Sequence, residues 1–97
     1  MEVTFEQASI KVTHDEVWDI MFCIINDLLH TVETHWVNRA DEDMTQQKFV
    51  DMVLENESKN MKMIKTFSNV LDRPDIAEGV PYRIVDVFEK SKSKPTQ

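Results

Sequence analysis

Asp27, His30 and Glu33 recur at i, i+3 and i+6, with Asn26 and Thr34 alongside. On a helix this spacing lays a carboxylate, an imidazole and a second carboxylate along one strip. Such a set suits a metal ion, or a histidine general acid–base tuned by its neighbours. Three ligands on one helix rarely close a coordination sphere, however. Helical di-iron sites draw Glu-x-x-His pairs from separate helices, and this chain contains no Glu-x-x-His. The strip is read as a solvated face, with no metal and no cofactor. Cys23 lies on it between Asp19 and Asp27, whose charges disfavour a thiolate, so the thiol is read as inert. His35 falls on the apolar side near the helix end and reads as a packing residue. His14 sits in the first turn, where a cation opposes the helix dipole.

Two other groups carry charge chemistry. Glu16-x-x-Asp19 and the Asp51/Glu55 pair supply clustered carboxylates of the kind an octahedral Mg²⁺ site requires. They make a Mg-dependent, all-α nucleotide pyrophosphohydrolase-like enzyme one alternative, although the paired acidic motif of such enzymes is not reproduced in order or spacing. Lys59, Lys62 and Lys65, then Arg73 and the lysines at 90, 92 and 94, form the basic portion. No aromatic residue is interleaved with these lysines for base stacking, and no zinc-finger or helix-turn-helix signature is present. A homo-oligomeric, nucleic-acid-associated protein using the Lys59–Lys65 face is the other alternative.

Composition narrows the field. The chain has 97 residues with one Gly, three Pro, one Cys and a formal charge of −7. That length makes one domain able to bury roughly two thirds of its unfolded surface. One Cys excludes a disulfide framework and a multi-Cys zinc site, and one Gly argues against Gly-cradled phosphate loops. The opening residues do not read as a signal peptide, and the longest apolar run, Ile20 to Ile25, falls far short of the ~20 residues needed to cross a bilayer. A cytoplasmic protein is expected. The charge is segregated: residues 1–57 carry −10 and residues 58–97 carry +3. Either two solvated faces attract each other within one fold, or an acidic face is aimed at a basic partner.

The elements follow from periodicity. Residues 1–12 read weakly as a short helical turn capped by Thr4 and Gln7, with a strand as the competitor. Thr13 and Glu16 form a capping box that opens a long helix, 14–36. Its polar strip is narrow, so its apolar arc reaches about 240°, against the ~100° stripe of an ordinary surface helix. A polar connection leads to an antiparallel helix, 44–71, capped by Thr45 or by Asp43 with Gln46. Asn56 and Asn60 interrupt its stripe, which predicts an irregularity over 55–60, and Glu55 with Lys59 forms an i,i+4 pair. Pro74 ends the helix. One further turn closes at Gly79 as a C′ residue, and Pro81 opens a short last helix, 81–90, with a strand as its competitor.

The expectation is therefore an all-α fold, a small helical bundle forming a single domain over residues 1–90, with a disordered tail over 91–97. Covering a 240° arc needs a third layer, which predicts a homodimer through Trp18, Phe22, Ile25 and Leu29 or through the opposite flank. The functional expectation is a non-enzymatic acidic protein-binding module. It would be an inhibitor, immunity or regulatory protein, of a kind common on phages and other mobile elements, that masks a basic surface on a protein partner. Its contacts would be Asp41, Glu42 and Asp43 in the loop, with Asp51 and Glu55 beyond.

Overall fold

The first twelve residues form a β-hairpin, not the expected helical turn. In the computed structural model, which describes residues 1–93, β1 (Glu2–Phe5) pairs antiparallel with β2 (Ala8–Lys11). The register sets Val3 opposite Ile10 and Phe5 opposite Ala8. Directly opposed residues share one face of a sheet, so the phase change between Val3/Phe5 and Ile10/Val12 is what a two-residue turn produces. That turn, Glu6–Gln7, places Glu6 at φ 55° without the Gly or Asn that usually marks such a hairpin. Val3 is buried and β1 lies against the third helix.

Helix α1 (His14–Thr31) begins at the expected capping box. The Glu16 N–H donates to Thr13 Oγ1 at 3.1 Å, and the Thr13 N–H donates to Glu16 Oε1 at 2.8 Å. The Thr13 backbone N–H, with the Thr13 hydroxyl beside it, holds the Glu16 carboxyl below its ordinary pKa. The helix widens into a π turn over Val32–Trp36 and tightens to a 3₁₀ turn over Val37–Arg39. Its core face is Val17, Met21, Ile25, Leu28 and Val32, all buried.

The expected helix 44–71 is two helices. Thr45 caps α2 (Gln46–Asn56), and α3 (Ser58–Val70) restarts after Glu57, whose φ of −108° and ψ of 25° are not helical. The break falls inside the expected 55–60 stretch. It also separates Glu55 from Lys59, which form no ion pair among the described residues. α3 ends in a Schellman motif: the Arg73 N–H reaches Ser68 O at 2.8 Å and the Asp72 N–H reaches Asn69 O at 3.1 Å. Asp72 takes the left-handed position at φ 57°.

The last helix, expected over 81–90, is α4 (Pro74–Ser93), which runs through both Gly79 and Pro81. Gly79 has no positive φ and is not a C′ residue. The reason is burial: Val80, Ile84 and Phe88, at i, i+4 and i+8, are each at most 2% exposed. Such side chains contribute about 1.5–3 kcal/mol apiece. Together they outweigh the ~3 kcal/mol of an interior proline and the ~1 kcal/mol of a helical glycine. Of the stretch 91–97 expected to be a disordered tail, α4 takes residues as far as Ser93, and residues 94–97 lie outside those described.

α1 packs on α3 and α4, α2 packs on α4, and Phe49 of α2 stacks on Phe88 of α4 with ring centroids 4.4 Å apart. The fold is mostly helical with a small sheet, elongated to 49 × 22 × 20 Å. No buried side-chain polar atom lacks a partner among the described residues.

A Cβ added at Gly79 meets nothing within 4 Å. Gly79→Ala is therefore expected to raise unfolding free energy by about 0.5–1 kcal/mol, the usual gain at an unstrained helical site. Urea denaturation checks this, with an unchanged slope and a higher midpoint as the expected result.

Candidate functional site

The loop between α1 and α2 carries Asp41, Glu42 and Asp43, all exposed. It is held by its ends, not by its carboxylates. Ala40 donates to Val37 O at 3.4 Å and Met44 to Asp41 O at 3.0 Å. From α4, Lys92 Nζ donates to Met44 O at 3.1 Å while lying 4.5 Å from the centroid of the Phe88 ring. None of the three carboxylates forms an ion pair among the described residues. Asp51 and Glu55 are exposed on α2, where Asp51 accepts a hydrogen bond from Gln47 Nε2 at 2.8 Å. Within the described residues the salt bridge that forms is Arg73–Asp75, 3.0 Å, inside the basic portion itself. That pair raises the Arg73 pKa and lowers that of Asp75.

The second surface lies on α1. Trp18 and Leu29 are half-buried, Phe22 is 42% exposed, and Ile25 is in the chain's own core. Of the four residues expected at a dimer interface, Ile25 is thus enclosed by its own chain and the other three keep exposed surface. Trp18 and Phe22 stack with centroids 5.5 Å apart, and the Arg73 guanidinium lies 5.8 Å from the centroid of Trp18, a cation–π distance. His14 meets Trp18 edge-on at 6.4 Å. Within its own chain the apolar arc of α1 buries Val17, Met21, Ile25, Leu28 and Val32, while Trp18, Ile20, Ile24, Leu29 and Trp36 are half-buried.

A third arrangement was legible only in part. Glu57, at the α2–α3 break, accepts from Trp36 Nε1 on Oε1 at 3.0 Å and from Asn60 Nδ2 on Oε2 at 2.8 Å. Both bonds are partly buried. The interrupted stripe marked the break, but no sequence signal paired it with Trp36, 21 residues away.

The remaining candidates stay dispersed. Asp27, His30 and Glu33 are exposed, and the hydroxyls of Thr31 and Thr34 bond the backbone oxygens of Asp27 and His30. Among the described residues no group of three or more His, Cys, Asp or Glu side chains is placed to hold a metal. Glu16 is engaged in its capping box, and α1 packs on α3 and α4, so Glu16 and Asp19 do not stand in a main packing interface with Asp51 and Glu55. Cys23 is a free, exposed thiol. His35, expected to pack, is exposed and edge-on to Trp36 at 4.6 Å. Lys59, Lys62 and Lys65 are exposed on α3. No described helix is long and apolar enough to cross a membrane. Comparison with protein-family models, curated proteins and solved structures finds no match.

Removing the Trp36 donor leaves a half-buried carboxylate with one partner fewer. Trp36→Phe is expected to cost about 1.5–3 kcal/mol, the range for a hydrogen bond to a charged group. A double-mutant cycle with Glu57→Ala, which removes the acceptor, isolates the pair, and additivity of the two changes would exclude coupling.

Proposed function

We propose that this chain is a non-enzymatic acidic protein-binding module. It acts as an inhibitor, immunity or regulatory protein in the cytoplasm, masking a basic surface of its partner with Asp41, Glu42, Asp43, Asp51 and Glu55. The supporting observation is that the loop carboxylates stand exposed and form no ion pair among the described residues. Uncompensated surface charge of one sign steers encounter with a surface of the opposite sign.

The working unit is proposed to be a homodimer. Its interface would be the α1 flank of Trp18, Phe22 and Leu29, which keeps contact with solvent and carries the most exposed residue of the apolar arc, Phe22. Two copies related by a two-fold axis would bring this flank against itself, as an isologous interface requires.

Two measurements test the reading. The chain is used to capture a basic protein, and the purified partner's affinity is then measured. It should fall steeply as salt rises and should weaken, mainly through a slower on-rate, in the Asp41→Asn/Glu42→Gln/Asp43→Asn variant. Affinity indifferent to both salt and substitution would refute the electrostatic masking. For the dimer, light scattering at high salt, where contacts between charged surfaces are screened, should show two chains for wild type and one for Phe22→Glu, with unchanged helicity. A wild-type monomer at high concentration would eliminate it.

A further inference from the structure

A groove of about 290 Å³ runs between α3 and α4. Met61, Pro74 and Ala77 give it apolar walls, Lys62 and Lys65 line one side, and Glu78 lines it from α4. Neither lysine ammonium has a hydrogen-bond or ion-pair partner among the described residues, in a chain with 18 acids. The lysines are also out of reach of the loop carboxylates. Groove and loop are both fixed to α4, the groove at Ala77 and Glu78, the loop at Lys92. Fifteen helical residues at 1.5 Å apiece separate these points by about 22 Å, well beyond the ~8 Å over which exposed charges interact in physiological salt. The positive and negative surfaces therefore cannot neutralise each other within one molecule.

We propose that the groove receives the Asp41–Glu42–Asp43 loop of a second copy of this chain. The inference rests on the reading of that loop as a recognition element and supplies one basic surface it fits. Charge complementarity selects the occupant: Lys62 and Lys65 outnumber Glu78 in the groove lining, and neither these lysines nor the three loop carboxylates form an ion pair among the described residues. The loop is flanked by Ala40 and Met44, both half-buried, which suit the apolar walls. Each molecule then offers a loop at one end of α4 and a groove toward the other, a heterologous contact that joins copies head to tail. It is distinct from the α1 flank, which faces its own equivalent.

The test uses full-length chains that all carry Phe22→Glu, which removes the α1 contact. One variant adds Asp41→Asn/Glu42→Gln/Asp43→Asn and keeps the groove. The other adds Lys62→Gln/Lys65→Gln and keeps the loop. Each alone should stay monomeric in sedimentation velocity, whereas their mixture should form a complex of one of each. The mixture should bind at least about tenfold more tightly than either variant binds itself, and lose that advantage at high salt. A mixture no tighter than the separate variants, or one indifferent to salt, overturns the proposal. That failure leaves capture of a different basic protein by the loop standing, so the two readings fall separately.

Discussion

The carboxylate of Glu57 is the point where three segments of this fold are tied together. One oxygen is held by the indole of Trp36 beyond the end of α1, the other by Asn60 in the first turn of α3. Without a break at this residue, α2 and α3 would be one rod with a single stripe, and a single stripe covers only a minor part of the α1 circumference. The break lets α3 lie on α1 while α2 lies on α4. The π turn of Val32–Trp36 belongs to the same arrangement. One wider turn shifts every later side chain around the axis, and Trp36 is the side chain that reaches the junction.

Burial then decides the boundaries that local preference leaves undecided. α4 keeps its helical path through a glycine and a proline because Val80, Ile84 and Phe88 each fill part of the core. The Schellman turn at Asp72 sends the chain back along α3, and Pro74 follows as a ready first residue of the next helix.

Much of this was legible in the residues, and each miss has a physical cause. Thr13 with Glu16 and Thr45 marked two helix starts, because caps are local hydrogen bonds between residues three apart. Asn56 and Asn60 marked the interruption near Glu57 for the same reason, since their polarity breaks a stripe. The hairpin leaves little trace in the sequence because its turn lacks Gly and Asn, and because alternation along one strand hides the face shared across two. Gly79 and Pro81 are strong local stop signals that suggest a shorter α4, and only tertiary contacts reveal that they are overruled. For the candidate surfaces, the sequence shows which acids and aromatics exist and how they repeat. Whether Ile25 faces inward while Phe22 faces solvent depends on where α3 and α4 come to rest, and the groove beside Lys62 and Lys65 exists only once α4 folds back.

Cys23 is the chain's single sulfhydryl, open to solvent and adjacent in sequence to Phe22. Alkylating reagents thus find a single covalent address, free of any competing thiol. A fluorophore or spin label attached there would sit beside the α1 aromatic flank and sense whatever approaches it.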